Sequence, residues 1–278
     1  EFTDWNAPMV AINQELQQKD PSFTLCGNDR IHPDNDGHLV MAYLFLKAQG
    51  LAGKLVADIR IDGAGKKVTR SDNCRVSDLS VSSDNLTFTY EAKSLPYPID
   101  TSYYDNEKHT QADALSVIPF MDEMNYEGLS VSGLSDGYYG LTIGGEFIGR
   151  FTARELERGI NMALLQNTPQ YKQAMKIRQM NEERWLKERK MREFYWVEYN
   201  LMRKTGMLWA CDEAAVDTLR KYRPHDIFLQ WNGDLWLQYM HKGIREDCVN
   251  EQQDLVDRIY EQNKPIPLQI EIKKFTDL

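Results

Sequence analysis

Hydrophobic positions change their spacing twice along the chain, and these changes divide it into three regions. Through about residue 50, apolar residues recur at the spacing of amphipathic helices. From about residue 55 to 150 they alternate with polar residues, which is the spacing of half-buried strands. Helical spacing returns from Thr152. The pattern predicts an α/β region, then a β-rich region, then a mainly helical region.

The first region predicts a helix, a strand, a loop and a second helix. Asn6 is placed to cap a helix whose first turn holds Pro8. Residues 22–26 predict a short strand that leads into a polar loop, and residues 37–50 predict the next helix. The buried side of that helix is predicted to hold Leu39, Ala42, Tyr43 and Leu46. This order is typical of the end of an α/β sandwich, with a site at the carboxyl end of a strand.

The middle region predicts an antiparallel β-sandwich, because short alternating segments are separated by turns about every 8–12 positions. Gly144-Gly145 predicts a hairpin between two of these strands. The alternating segments are 56–61, 79–81, 86–90, 129–131, 139–143 and 147–148. Residues 95–113 predict a loop that is long enough to cover part of the fold.

The last region begins with two helix-start signals. Thr152 and Glu155 form a capping box, and Thr168 precedes Pro169 at the start of a long helix. An unbroken helix from there to Gly206 would be roughly 55 Å long, at about 1.5 Å per residue. Shorter helices are predicted at 212–222, 231–239 and 251–262, followed by a strand at 268–272.

Composition narrows the class of protein. The chain has 278 residues, 42% hydrophobic and 27% charged, which permits real cores in two modest domains. Its formal net charge of −9 argues against nucleic acid as a partner, because phosphate binding needs a basic patch. No run approaches the roughly 18 apolar residues of a membrane span. The four cysteines are too widely spaced for a zinc site, which leaves free thiols or a Cys211–Cys248 disulfide.

An aspartate three residues before a histidine is the main chemical signal. Asp29-Arg30-Ile31-His32-Pro33 places a carboxylate and an imidazole in one loop just before a helix. A carboxylate that accepts the imidazole Nδ1–H leaves Nε2 free to take a proton from a nucleophile. Pro33 lacks a backbone N–H and restricts the loop beside His32. The pattern is typical of a general base and the carboxylate that orients it.

The longer string resembles the last sequence block of the SGNH (GDSL-type) ester hydrolases. After Asp29-Arg30-Ile31-His32-Pro33 come Gly37-His38, which open a helix carrying Met41-Ala42. Five later segments resemble a bacterial subgroup of that family with extra C-terminal regions: Leu95-Pro96-Tyr97-Pro98, Leu129-Ser130-Val131-Ser132-Gly133-Leu134, Gly137-Tyr138-Tyr139, Gly159-Ile160-Asn161-Met162-Ala163 and Thr168-Pro169. The resemblance implies a three-layer α/β/α fold and no cofactor. It also implies a Ser-His-Asp catalytic triad in which His32 is the base and Asp29 orients it.

The nucleophile block of that family is missing from these residues. Gly133-Leu134-Ser135-Asp136-Gly137 has the wrong order for it and predicts a tight turn between strands. We expect residues 1–52 to be the C-terminal end of the hydrolase domain, 53–150 the β-sandwich and 151–278 the helical region. The serine is then expected on the missing N-terminal part of the same hydrolase or on another chain, and this chain alone should be inactive.

The resemblance implies an esterase, or lipase-like acylhydrolase, of the carbohydrate esterase type. Its substrate would be an acylated small molecule or glycan, and its location periplasmic or secreted. The alternative is a non-catalytic carbohydrate- or protein-binding scaffold built on the β-sandwich and the long helices, with Asp29 and His32 as a relic. A metal site formed by His32, His38 and Asp29 is a further alternative.

Overall fold

Two β-sheets and several helices make up a mixed α/β fold. The computed structural model describes residues 3–27, 29–102 and 109–275. The strands are β1 (Ala57–Asp62), β2 (Lys67–Asp72), β3 (Cys74–Val81), β4 (Asn85–Ala92), β5 (Glu127–Ser132), β6 (Tyr138–Ile143), β7 (Glu146–Thr152), β8 (Ile160–Asn161) and β9 (Leu268–Lys274). The helices are α1 (Asn6–Gln17), α2 (Asn35–Ala48), α3 (Phe120–Glu123), α4 (Ala153–Arg158), α5 (Pro169–Val197), α6 (Glu213–Tyr222), α7 (Ile227–Tyr239) and α8 (Lys242–Gln262). Short 3₁₀ helices lie at Gln111–Ser116, Met162–Leu164 and Arg223–His225.

The two sheets differ in strand direction. The five-stranded sheet has the order β3-β4-β9-β6-β7 and is antiparallel throughout. The four-stranded sheet has the order β2-β1-β5-β8, and its β1 and β5 are parallel. The prediction of a purely antiparallel sandwich is therefore wrong for this pair. Between β1 and β5 lie β2, β3, β4, the 3₁₀ helix at Gln111–Ser116 and α3, and the chain re-enters the sheet in the same direction.

Alternation along the strands sends one face of each sheet into a shared core. The fully buried residues of this core include Ala57, Ile59, Phe88, Leu129, Val131, Ile143 and Ile270. Burying each large apolar side chain contributes roughly 1.5–3 kcal/mol. The strands predicted from alternation at 56–61, 86–90, 129–131 and 139–143 are confirmed, and so is the strand predicted at 268–272.

The N-terminal region differs in detail from its prediction. Asn6 is the first residue of α1 and does not cap it. Asp4 Oδ1, one residue before the cap position, accepts hydrogen bonds from the N–H groups of Asn6 and Ala7 at 2.9 and 3.1 Å. Residues 22–26 do not form the predicted strand, and pairing there is limited to an isolated bridge between Cys26 and Pro33. The three-layer α/β/α fold therefore stays a prediction for a larger protein.

The α2 helix packs against the loop that follows the first strands. Ala42 was predicted on the buried side of this helix but is exposed. Val40 is buried instead. The core on this side comprises Leu25, Leu39, Val40, Tyr43, Ile99, Ala114, Ile118, Phe120, Met121 and Ala163. Tyr43 Oη also donates to Glu123 Oε2 at 2.7 Å, which ties α2 to α3. The 3₁₀ helix at Gln111–Ser116 and α3 thus cover the buried side of α2. Residues 103–108 of the loop predicted at 95–113 lie outside the described residues.

The residues fall into two compact units, 1–175 with 264–278 and 176–263. The second unit is helical and has its own core around Phe194, Val197, Met202, Leu219 and Trp236. The predicted capping of α4 and the predicted start of α5 are confirmed, whereas α7 and α8 begin earlier than predicted. The division at 52/53 and 150/151 stays a prediction.

A buried carboxylate organises the end of α5. At Glu198–Met202 the chain forms a π-helix, so the helical run from Thr168 to Gly206 is not one unbroken α-helix. Glu198 is 1% exposed and accepts hydrogen bonds from Trp236 Nε1 at 2.8 Å and from the Trp209 N–H at 2.9 Å. The wider turn aims this carboxylate inward, where both of its oxygens are satisfied.

The described helices lie within residues 3–27, 29–102 and 109–275. None of them combines the length and the apolar composition that a transmembrane helix needs.

Candidate active site

The Asp29 carboxylate fixes the shape of the loop before α2 and also contacts the His32 ring. Asp29 Oδ1 accepts hydrogen bonds from the N–H groups of Ile31 and His32 at 2.9 and 3.1 Å. Gly27 N–H donates to the His32 carbonyl at 2.8 Å, and Arg30 adopts a φ of +56° that reverses the chain. This local turn explains why an aspartate three residues before a histidine brings the two side chains together.

Asp29 and His32 face each other on the outside of this loop. His32 Nδ1 lies 2.5 Å from Asp29 Oδ2, and the side chains are 84% and 48% exposed, respectively. The hydrogen bond from His32 lowers the pKa of Asp29 to about 2, and the N–H groups of Ile31 and His32 add to the effect. Asp29 is therefore a carboxylate across the neutral pH range, and the solvent-exposed ring is open to an incoming group.

The arrangement has the two parts of a proton-transfer pair. A carboxylate that accepts from Nδ1 fixes the ring tautomer and stabilises the imidazolium that forms when Nε2 takes a proton. His38, the other histidine in this stretch, is exposed on α2. Its backbone N–H donates to the Asp34 carbonyl at 2.9 Å, which is an ordinary helical contact. The structure thus pairs His32 with Asp29 and places His38 in the first turn of a helix.

Gly37 sets the distance between α2 and the strand-like segment before the loop. A Cβ at this position would lie 2.1 Å from the carbonyl oxygen of Leu25. We expect Gly37→Ala to lower the free energy of unfolding by about 1–3 kcal/mol, because backbone must move to relieve the contact.

Urea denaturation of this variant should be compared with Gly243→Ala, where a Cβ in α8 meets open space. The control should leave stability unchanged or slightly raised. Equal stability of the two variants would show that α2 is not held as close to Leu25 as the structure indicates.

A second carboxylate–imidazole pair lies near the first and was not predicted from the sequence. His109 Nδ1 lies 2.9 Å from Oδ2 of Asp36, which is 2% exposed. Burial raises the pKa of Asp36, and the interaction with His109 opposes that rise. Asn35 Nδ2 also donates to the His109 carbonyl at 3.1 Å. Asp36 and His109 are 73 positions apart, so no local signal in the sequence marks this pair.

Residues 133–137, which were predicted as a tight turn between strands, connect β5 to β6. Ser135 follows β5, between Gly133 with φ +75° and Gly137 with φ +142°. Lys274 Nζ donates to Ser135 Oγ at 2.8 Å, and Tyr139 Oη donates to the Ser135 carbonyl at 2.9 Å. Ser135 belongs to the end of the sheets, whereas Asp29 and His32 belong to the loop before α2.

Metal and disulfide alternatives find no support in the described residues. Among the described residues, no group of three His, Cys, Asp or Glu side chains is arranged to hold a metal ion. His32, His38 and Asp29 therefore do not form such a group. Cys211 and Cys248 are both free thiols, as are the other two cysteines.

The side-chain amide of Asn161 has hydrogen-bond partners for both its oxygen and its nitrogen. Its Oδ1 accepts from the N–H groups of Glu127 and Ala163 at 2.9 and 3.1 Å. Its Nδ2 donates to the carbonyls of Met121 and Asn125 at 3.1 and 3.2 Å.

Comparison with known proteins relates both units to one kind of enzyme. Residues 175–264 match the family model "Diltiazem deacetylase C-terminal helical domain", a range almost identical to the second unit. The fold matches a solved structure of BT4096, a gut microbial diltiazem-metabolizing enzyme, with a TM-score of 0.93 and 47% sequence identity. The match covers 99% of this chain and 62% of that chain, so this chain spans less than two thirds of its relative. No curated protein matches the chain.

Proposed function

We propose that this chain carries the acid–base half of an ester hydrolase site. The observation that supports it is the contact between His32 Nδ1 and Asp29 Oδ2 at 2.5 Å, with the ring exposed to solvent. Two further supports are the similarity to a diltiazem-metabolizing enzyme and to a deacetylase helical domain. The name of the latter points to removal of an acetyl group.

The proposed reaction is acyl transfer through a serine that is not among residues 1–278. The serine oxygen attacks the ester carbonyl while His32 Nε2 takes its proton, and Asp29 stabilises the imidazolium that results. His32 then returns the proton to the departing alcohol, which leaves an acyl-serine. Water attacks this intermediate by the same route and releases the carboxylic acid. This is the chemistry of an SGNH-type serine esterase.

The proposed substrates are acylated small molecules or glycans. His32 and Asp29 are exposed, so a second protein surface is needed to enclose the ester. We propose that this surface belongs to a segment equivalent to the part of the solved relative that the match does not cover. A periplasmic or secreted location belongs to the same proposal and rests on the SGNH resemblance.

Acetate release from diltiazem and from 4-nitrophenyl acetate tests this function. The protein with its nucleophile segment should hydrolyse acetyl esters, and residues 1–278 alone should not. Hydrolysis by residues 1–278 alone would contradict the proposal that the serine lies elsewhere.

Asp29→Asn is expected to lower kcat by roughly 10²- to 10⁴-fold. The amide oxygen still accepts from the Ile31 and His32 N–H groups, so the loop keeps its shape, but the imidazolium loses its negative partner. The measurement is the steady-state rate of acetate release. Asp122→Asn, an exposed aspartate in α3, is the matched control and should retain full activity. Full activity of Asp29→Asn would remove the carboxylate from the mechanism.

A second candidate function, a non-catalytic binding scaffold, is favoured by exposed rings in the second unit. Trp185, Phe228 and Trp231 are 45%, 47% and 67% exposed. Phe228 lies 5.2 Å from Trp196 and 5.4 Å from Trp231 between ring centroids, which makes a continuous aromatic surface. Glycan-array binding that is lost in Trp231→Ala, in a protein without esterase activity, would favour this function.

A further inference from the structure

A cavity of about 400 Å³ adjoins the loop that holds the proposed proton-transfer pair. Gly27 and Arg30 of that loop form one side of it. Asp34, which caps α2, and His109 form another side. The turn after α1 closes the cavity with Asp20, Ser22, Phe23 and Thr24. Small-molecule sites commonly occupy about 300–1,000 Å³, so the cavity has the size of a binding site.

His109 is held at two points in this wall. Its ring donates through Nδ1 to the buried Asp36 carboxylate at 2.9 Å, and its carbonyl accepts from Asn35 Nδ2 at 3.1 Å. The ring is 31% exposed, so Nε2 is the nitrogen left for a ligand. A ring held at Nδ1 by a buried carboxylate presents Nε2 at a fixed position, which lowers the entropy cost of binding.

The charged side chains that line the cavity restrict which ligands fit it. The carboxylates of Asp20 and Asp34 oppose a simple anion, and the guanidinium of Arg30 opposes a simple cation. Ser22 Oγ donates its hydrogen to Asp20 Oδ1 at 2.7 Å and therefore offers an acceptor. Thr24 Oγ1 accepts from the Cys26 N–H at 3.0 Å and keeps its hydroxyl hydrogen as a donor. A polyhydroxylated ligand matches such a mixture, since each hydroxyl donates one hydrogen bond and accepts others.

We propose that this cavity binds the sugar part of an acylated carbohydrate, with His109 Nε2 bonded to a sugar hydroxyl and Asp36 as the residue that positions the ring. The Phe23 ring supplies an apolar face for the C–H side of the sugar. The inference rests on the proposed function, because it places the alcohol part of the ester beside the loop that carries His32. Arg30, which lines the cavity one residue from Asp29, connects the two sites.

Sugar binding is measured directly on residues 1–278, independently of hydrolysis. Saturation-transfer NMR is run with the methyl glycosides of glucose, galactose, mannose and N-acetylglucosamine. At least one should bind, and His109→Ala and Arg30→Ala should each weaken it by roughly tenfold, as expected for one lost hydrogen bond. His38→Gln, exposed on α2 and outside the cavity, is the matched control and should bind normally.

A kinetic measurement separates binding from structural roles. In the protein with its nucleophile segment, His109→Ala should raise KM for an O-acetylated methyl glycoside by roughly tenfold and change kcat by less than about twofold. Asp36→Asn should also raise KM. His109→Gln retains a hydrogen-bond donor, so its KM should rise less than that of His109→Ala. Arg30→Ala keeps the test valid if a His109 variant fails to fold, because the Arg30 side chain lies on an exposed loop.

The outcomes distinguish this inference from the proposed function. Absence of binding by all four glycosides, or equal binding by the wild type, His109→Ala and Arg30→Ala, would overturn the sugar cavity. If glycosides bind in a His109-dependent way but no ester is cleaved, the cavity stands and the hydrolase proposal fails. If hydrolysis requires His32 while the glycosides do not bind, the hydrolase proposal stands and the cavity fails.

Discussion

Alanine in place of His32 is expected to lower kcat for ester cleavage by roughly 10³- to 10⁶-fold in the protein that carries the nucleophile. Without the imidazole, the attacking hydroxyl has no base and the leaving alcohol has no acid. The His32 side chain is 84% exposed, and within the described residues its only side-chain hydrogen-bond partner is Asp29. The fold should therefore survive its removal. The measurement is acetate release under substrate saturation, with thermal unfolding to check the fold.

Two controls separate a proton-transfer role from a structural one. His38→Ala removes a nearby exposed histidine and should leave the rate unchanged. Added imidazole should restore part of the rate to His32→Ala, because the vacated position is open to solvent. A normal rate in His32→Ala would refute the assignment, and so would an equal loss in His38→Ala.

Glu127→Gln is expected to raise the free energy of unfolding by about 3 kcal/mol at pH 8 and by much less at pH 5. Glu127 is 0% exposed at the start of β5. Its carboxylate accepts from Tyr90 Oη at 2.8 Å and from Gln170 Nε2 at 3.2 Å. Burial nevertheless raises the pKa of Glu127 from 4.5 to about 7.

The direction of the pH effect follows from proton binding. Between pH 4.5 and 7 the folded protein keeps a proton on Glu127 that the unfolded chain has lost. Stability therefore falls as pH rises through this window and stays lower above it. Glutamine resembles the protonated form at every pH, so its advantage over glutamate grows between pH 4.5 and about 7 and stays constant above that.

Urea denaturation at the two pH values measures this difference. Glu157→Gln, an exposed glutamate in α4, should show no comparable pH-dependent gain. Equal destabilisation by Glu127→Gln at both pH values would mean that the buried carboxylate is ionised and satisfied. In that case Tyr90 and Gln170 would stabilise the charge more than burial opposes it.

Features encoded within a few residues could be predicted from the sequence. Thr152 and Glu155 form the predicted capping box, with the Thr152 N–H 2.7 Å from Glu155 Oε2. Gly144 and Gly145 form the predicted hairpin turn, with φ of +57° and +82° that few other residues adopt easily. The Asp29–His32 contact is of the same kind, since its geometry is set by a turn of four residues.

Features that depend on distant partners could not be predicted. The alternating pattern of β9 predicts a strand but gives no sign that it lies between β4 and β6. Residues 22–26 have a strand-like pattern, yet no described strand lies beside them to complete a ladder. The Asp36–His109 pair joins residues 73 positions apart, and Glu127 meets Tyr90 across 37 positions. Tertiary packing decides such contacts, and local propensity carries no information about them.

The most direct test of the proton-transfer pair is to label the activated serine with a fluorophosphonate and map the modified residue by mass spectrometry. The protein is used with and without His32→Ala. We predict one modified serine that is not among residues 1–278, with labelling that is largely lost in His32→Ala. Modification of Ser135, beside Lys274, or labelling that is independent of His32 would contradict the account.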